Sequence, residues 1–161
     1  MSNLNNLRSL LLTATIAVAS FSAADDSKAD NHADSHADDP RHVRHELMED
    51  VGKAAKPVGK MLKGETEYDA AVIVASLQTW HDVSLQFGDL FPEGTETGMD
   101  TEAAPAIWED RAGFDEAIGK WRAAVEAAQA AAPATLEAAK TTVGPIFQTC
   151  KGCHDNYRIE D

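Results

Sequence analysis

The sequence predicts an all-α fold, an antiparallel four-helix bundle. After residue 40, apolar side chains recur at spacings of three and four residues in four separate segments, which is the pattern of helices with one buried face. Alternation of apolar and polar residues, the pattern of a half-buried strand, is not sustained anywhere. Most connections between the segments are short, so consecutive helices are expected to run antiparallel and side by side.

The first predicted helix begins at Asp39-Pro40, because aspartate is a common N-cap and proline is favoured at the first helical position. Its apolar stripe continues to Leu62, and Gly64 follows as a stop signal. Pro57 lies inside this pattern and lacks an amide hydrogen, so the helix is expected to be bent or locally irregular there.

The second predicted helix starts after Thr66-Glu67-Tyr68-Asp69, which resembles a capping box with aspartate in place of glutamate. It ends near Phe91-Pro92, because proline cannot continue a helix. Residues 92–104 are rich in glycine, threonine and glutamate, which is typical of a loop, and they form the longest predicted connection.

The third predicted helix starts at Pro105 and runs to Ala132-Pro133, with large apolar residues on one side in its first half. The fourth starts at Leu136 and carries both cysteines of the chain near its end. Pro145 is expected to disturb one turn of it, shortly before the cysteines.

These cysteines belong to the motif Cys150-Lys151-Gly152-Cys153-His154. The pattern is that of covalent attachment of a c-type haem: thiols three residues apart share a helix face and can bind the two vinyl groups, while the next residue, His154, supplies an axial ligand. A redox dithiol or a disulfide remains as an alternative. A structural zinc site is disfavoured, because a second pair of cysteines is absent.

The N-terminus predicts export. Residues 1–24 have the arginine, the short apolar run and the small residues of a cleaved secretory signal peptide, with an uncleaved anchor as the alternative. Residues 25–39 are an acidic, His/Asp-rich segment expected to be a disordered linker, although His32 and His36 could hold a metal. The four-helix-bundle cytochrome domain is predicted at 40–161, and the location is the periplasm.

The charge of the chain limits its partners. It has 14 basic and 27 acidic side chains, a formal net charge of −13. Such a chain would repel nucleic acid, whereas it would be steered toward redox partner proteins with basic docking surfaces. No apolar segment is long enough for stable membrane insertion. The apolar faces also lack paired carboxylates or an activated nucleophile, so an enzyme is not expected.

The chain resembles the cytochrome c-prime family, the class II c-type cytochromes, over nearly all of residues 41–161. The motifs that carry this resemblance, in order, are Arg44 with Met48, Lys63-Gly64-Glu65 leading to Tyr68-Asp69, Phe91-Pro92, Pro105-Ala106-Ile107-Trp108, and the haem motif followed by Tyr157-Arg158. The resemblance implies a four-helix bundle with one covalent haem c near one end. It also implies that the protein can form a homodimer. Trp80, Trp108 and Trp121 are expected in the bundle core, although they could pack on the haem, and Trp121 could lie at the interface of such a dimer.

Within that family, the residue four positions after the arginine of the first helix faces the open side of the iron. A methionine there, Met48 in this chain, implies a six-coordinate, low-spin iron with His154 and Met48 as ligands, which suits single-electron transfer. The alternative is that Met48 only fills the core. The protein would then resemble the five-coordinate members that bind NO or CO, in gas binding or in protection from nitrosative stress.

Other side chains could also serve the haem. His45 is the nearest rival ligand to Met48, followed by His42 and His81, but helical geometry turns His45 away from the apolar stripe. The resemblance favours Arg44 and Arg158 as residues near the haem that neutralise its propionates or cover its histidine side. Ordinary surface charge is the alternative for both.

Overall fold

The computed structural model describes residues 37–159. This part of the chain forms six α-helices and one 3₁₀ turn, Phe87–Leu90. The helices are α1 (Pro40–Leu62), α2 (Ala70–Gln86), α3 (Ala106–Glu109), α4 (Arg111–Ala131), α5 (Leu136–Thr142) and α6 (Gly144–Tyr157). Helix α1 packs against α2, α2 against α4, and α4 against α6, which gives the layout of a four-helix bundle. The all-α prediction is confirmed.

Helix α1 begins and ends where its sequence signals place it. The Asp39 side chain accepts a hydrogen bond from the amide of Arg41 at 2.9 Å, so it acts as the N-cap. After the helix, Gly64 adopts a φ of 76°, a left-handed conformation that glycine takes without steric cost. The irregularity expected at Pro57 does not interrupt the helix, which continues through this residue.

Helix α2 starts after Asp69, as predicted, and Asp69 is itself the N-cap. Its carboxylate accepts hydrogen bonds from the amides of Ala71 and Val72 at 2.8 and 3.4 Å. The regular helix ends at Gln86, and the 3₁₀ turn brings the chain to Phe91-Pro92. The predicted end of the second helix is therefore reached through a tighter turn.

The third predicted helix is divided in two at Asp110. This residue leaves the helical region, with φ −125° and ψ 59°, and its carboxylate accepts a hydrogen bond from the amide of Gly113 at 3.1 Å. The same carboxylate accepts a hydrogen bond from the Tyr157 hydroxyl at 3.2 Å. Asp110 therefore ends α3, caps α4 and connects α4 to the end of α6.

The fourth predicted helix is divided between α5 and α6 at Val143. Pro145 lies in the first turn of α6, where its missing amide hydrogen costs nothing. The disturbance predicted at this proline is thus a junction between two helices, and the haem motif lies wholly within the second.

The core of the bundle is built from large apolar side chains on all the long helices. Trp80 is fully packed and donates a hydrogen bond from its indole to the carbonyl of Val51 at 3.2 Å. Trp121 is only 5% exposed and lies in the same core. Trp121 therefore takes the core position expected for the large aromatics, and its enclosed side chain does not fit the interface alternative.

Some predictions concern residues outside the described range. The signal peptide at 1–24, most of the linker at 25–39, and the pair His32 and His36 lie outside residues 37–159. Among the helices of residues 37–159, none has the length and apolar character needed to cross a membrane.

The junction at Asp110 leads to a stability prediction for Gly113. A methyl group at this position would overlap both the Asp110 carboxylate and the Tyr157 hydroxyl. Although alanine favours helix more than glycine does, we expect Gly113→Ala to lower the free energy of unfolding by about 2 kcal/mol, as overpacked sites do. Urea unfolding followed by circular dichroism measures this change.

Gly119, on the same helix, is the matched control. It is exposed, and an added methyl group there would meet no atom within 4 Å. Gly119→Ala should raise the free energy of unfolding by up to about 1 kcal/mol through helix propensity alone. If Gly113→Ala were as stable as Gly119→Ala, the stability of the Asp110 junction would not depend on the close approach of Gly113 to Asp110 and Tyr157.

Candidate haem site

One cavity of about 430 Å³ lies between α1, α4, α6 and the connection that precedes α3. Its volume is within the range of small-molecule and cofactor pockets. Its walls include apolar side chains such as Val51, Ile118 and Phe147. All six predicted site residues line it, namely Arg44, Met48, Cys150, Cys153, His154 and Arg158.

Helix α6 contributes the haem motif to this cavity. Cys150 and Cys153 are partly buried, and neither is in a disulfide. Burial raises the pKa of both thiols, that of Cys153 to about 11. Both are therefore protonated at neutral pH, unlike the activated thiolate of a redox dithiol. The raised pKa values weigh against the redox-dithiol alternative.

His154 follows the second cysteine and lines the same cavity. Desolvation lowers its pKa, and the nearby positive charge of Arg158 lowers it further. The imidazole is therefore neutral at pH 7, which is the form that binds a metal.

Met48 contributes a thioether from α1. Its side chain is partly buried and lines the cavity, together with Val51 one turn further along the helix. Met61 on the same helix is buried in the core outside the cavity, and its sulfur accepts a hydrogen bond from the amide of Asp69 at 3.2 Å. Of the two methionines of α1, only Met48 can therefore reach a group bound in the cavity.

The rival histidines are placed differently from one another. His45 lines the cavity, at an edge where 64% of its side chain is exposed and its Nε2 lies 3.8 Å from Glu49 Oε1. His81 lies outside the cavity lining, between Asp82 and Glu126, with 3.7 Å between its Nε2 and Glu126 Oε1. His42 is not part of the lining either. Of these three histidines, His45 therefore remains as the rival ligand. Helical geometry had predicted that His45 faces away from the apolar stripe of α1.

Arg44 is almost fully buried, with 5% of its surface exposed. Its guanidinium donates hydrogen bonds to the carbonyls of Leu90 and Thr95 and to the hydroxyls of Thr95 and Thr101, at 2.5 to 3.2 Å. It also stacks over the Phe91 ring at 4.7 Å. None of these partners carries a negative charge, so Arg44 brings a buried positive charge to the cavity wall.

Arg158 differs from Arg44 because it is exposed. Its Nε donates a hydrogen bond to the Glu102 carboxylate at 2.6 Å, across the edge of the cavity. Arg41 is likewise paired, with Asp39 and with the carbonyl of Thr97. The two predicted arginines therefore have distinct surroundings: Arg44 forms part of the wall, and Arg158 closes the rim through an ion pair.

Two further features of the site involve the connection before α3 and the side chain of Trp121. Met99 and Asp100 line the cavity from the connection before α3, and both have a φ of 51°, unusual for residues other than glycine. Trp121 also lines the cavity, and its buried indole nitrogen has no hydrogen-bond partner within the described residues. The sequence carried no signal for the loop conformation or for the unpaired indole nitrogen, since both depend on distant contacts, although Trp121 was among the side chains that could pack on the haem.

The donor set fits a haem. Two protonated thiols and an imidazole on one helix, and a thioether on another helix, line a single cavity with apolar walls and a buried cation. Such a cavity in an all-α bundle defines a c-type cytochrome. Residues 39–158 match the family described as Cytochrome C'. The chain therefore belongs to the cytochrome c' family, whose members carry covalently attached haem c.

Curated relatives include proteins named cytochrome c' and proteins named cytochrome c-556. Cytochrome c' of Rhodopseudomonas palustris is 41% identical over 117 residues, which cover 73% of this chain and 80% of that protein. Cytochrome c-556 of the same organism is 31% identical over 119 residues, 71% of this chain and 79% of that protein. The solved structure of cytochrome c' from R. palustris superposes with a TM-score of 0.73 at 39% identity, covering 76% of this chain and 98% of that one.

Proposed function

We propose that this protein is an exported monohaem cytochrome that transfers single electrons, with His154 and Met48 as the axial ligands of the iron. Haem c, joined through Cys150 and Cys153, supplies an iron that alternates between the ferric and ferrous states. The observation that carries the proposal is that Met48, from α1, and the motif of α6 line one cavity. A thioether paired with an imidazole favours the reduced iron relative to two imidazoles.

The surroundings of the cavity support electron transfer. Val51, Ile118 and Phe147 give the cavity apolar walls, which would limit solvent rearrangement when the charge changes. Arg44 provides a buried positive charge that would face the propionates or stabilise the reduced state. We assign Arg158 to the rim on the histidine side, where it would hold the end of α6 through Glu102.

The domain assignment belongs to the same proposal. Residues 1–24 would direct export to the periplasm and be removed, 25–39 would form a linker, and 40–161 would be the cytochrome domain. Removing residues 1–24 takes away one arginine and no acidic residue, leaving 13 basic against 27 acidic side chains. Redox partners with basic docking surfaces are therefore favoured, and a homodimer is a further proposal from the family resemblance.

A second candidate function is the binding of NO or CO at a five-coordinate iron. The observation that favours it is the incomplete enclosure of the Met48 side of the cavity: Met48 is only partly buried, and His45 beside it is exposed. If Met48 did not bind the iron, this side would be open to small gases.

The absorption spectrum separates the two functions. The ferric protein is expected to show a weak charge-transfer band in the red, typical of sulfur bound to iron, and Met48→Leu should abolish it completely. Met61→Leu is the matched control, because Met61 lies on the same helix outside the cavity and should leave the band unchanged. A high-spin, five-coordinate spectrum of the unmodified protein would overturn His/Met ligation.

A further inference from the structure

The connection before α3 pairs with the end of α6. An isolated antiparallel bridge joins Ala103 to Arg158, and the amide of Ile159 donates a hydrogen bond to the carbonyl of Glu102. This pairing places Glu102 beside Arg158, although 56 positions separate them, and the Nε of Arg158 donates to the Glu102 carboxylate at 2.6 Å. The backbone therefore holds this ion pair in place, whereas most surface ion pairs join side chains that move freely.

Both side chains of the pair line the cavity, and so does His154. Their charges act on the imidazole in opposite directions. Desolvation lowers the pKa of His154, the positive charge of Arg158 lowers it further, and the negative charge of Glu102 raises it. The ion pair is therefore close enough to the proposed iron ligand for each of its charges to act on it.

Acidic side chains are few around the cavity. Among the described residues that line it, the acidic ones are Asp100 and Glu102, both in the connection before α3. Of these two, Glu102 is joined to α6 through Arg158. Asp155 follows His154 in the sequence, but it does not line the cavity, and its carboxylate pairs with Lys151 on the same helix. Glu102 therefore supplies negative charge on the histidine side from within the cavity wall.

A charge near a haem iron changes its reduction potential. Ferric iron carries one more positive charge than ferrous iron, so a nearby negative charge favours the ferric state and lowers the potential, and a positive charge does the opposite. The side chains of Arg158 and Glu102 are 43% and 49% exposed, so water and salt screen both charges. Each charge is therefore expected to have a modest effect that weakens as the salt concentration rises.

We propose that Glu102 lowers the reduction potential of the haem, because its carboxylate offsets the positive charge of Arg158 on the histidine side of the iron. The connection before α3, which is distant from the haem motif in sequence, would thereby set part of the energetics of electron transfer. The inference rests on the proposed ligation by His154 and not on that by Met48.

Glu137 offers a matched control for Glu102. It is also a glutamate in an ion pair, with 2.9 Å between its carboxylate and the Nζ of Lys140, but it does not line the cavity. Glu102→Gln and Glu137→Gln therefore remove the same charge from the same protein, and only the first changes the charge beside His154. An effect of net charge alone should appear in both variants.

The test measures the reduction potential of the holoprotein by spectroelectrochemical titration at low salt. We expect Glu102→Gln to shift the equilibrium between ferric and ferrous protein about threefold toward the ferrous state, and Arg158→Gln about threefold toward the ferric state. The double variant should lie between the two single variants, because both charges are then absent. Glu137→Gln should match the unmodified protein. Arg158→Lys keeps the positive charge and should lie closer to the unmodified protein than Arg158→Gln does.

The direction of the two shifts separates a charge effect from a loss of structure. If Glu102→Gln and Arg158→Gln shifted the potential in the same direction, a loosened end of α6 would explain both shifts, and the proposal would be overturned. A shift in Glu102→Gln no larger than that in Glu137→Gln would also overturn it. If Glu102→Gln did not retain haem, equal potentials for Arg158→Gln and Arg158→Lys would overturn the proposal instead. The proposed function fails separately, through a five-coordinate spectrum, because the potential of either coordination state can be titrated.

Discussion

Replacing both Cys150 and Cys153 with serine is expected to abolish covalent haem attachment. Both thiols line the cavity and neither is in a disulfide, so both are available to add to vinyl groups. Serine cannot form a thioether. The protein should be expressed together with an intact haem-attachment system. The mass of the denatured protein should then include one haem for the native sequence and none for the double variant.

The single variants Cys150→Ser and Cys153→Ser serve as controls, since each retains one thiol. We expect them to keep some covalent haem, at a lower yield and with a shifted absorption maximum, because one vinyl group would remain unsaturated. A native protein whose mass corresponds to the polypeptide alone, with the two cysteines oxidised, would refute the haem assignment and favour the disulfide alternative.

Replacing Arg44 with alanine is expected to lower the free energy of unfolding substantially, because its guanidinium is buried and hydrogen-bonded. The change removes the hydrogen-bond donors of the Leu90 and Thr95 carbonyls. These two carbonyls would then be unpaired beside the space that the guanidinium had filled. Each buried polar group left unpaired costs about 1 to 3 kcal/mol, so we expect a loss of about 3 kcal/mol in the free energy of unfolding. Urea unfolding of the holoprotein measures it.

Arg41→Ala is the comparison for this substitution. Arg41 lies one turn earlier on α1 and donates to the carbonyl of Thr97 in the same connection, but its side chain is near the surface and its charge is paired with Asp39. Its replacement should cost much less than that of Arg44, because water can satisfy the groups it leaves. Equal losses for the two variants would mean that burial of Arg44 contributes little to the stability of this end of the bundle.

The elements that the sequence predicted well are those determined by near neighbours. The start of α1 depends on Asp39 and Pro40, and the haem motif depends on spacing within two turns of α6. Apolar periodicity also predicted the wall of the cavity around Met48, because one helix face is determined by residues three and four positions apart. Both the fold class and the side of α1 that meets the motif follow from such local patterns.

The features that could not be predicted depend on contacts between distant residues. Asp110 interrupts a periodic helical pattern because its carboxylate accepts hydrogen bonds from Gly113 and from Tyr157, 47 positions away. The burial of Arg44 depends on Thr95 and Thr101, more than 50 positions away. A sequence pattern shows that an arginine is present, but the loop that will enclose it cannot be derived from helical periodicity.

The end of the bundle that holds the haem motif is closed by loop backbone. The amide of Ala104 donates to the carbonyl of Tyr157 at 3.0 Å, and the amide of Ile159 donates to the carbonyl of Glu102 at 2.8 Å. These contacts join segments more than 50 residues apart, and the Tyr157 ring adds an edge contact to Phe114 of α4, with 5.3 Å between the ring centroids. The end of α6 is therefore held by the loop before α3 and by α4 together, so a change in that loop would act on the helix that carries the haem motif.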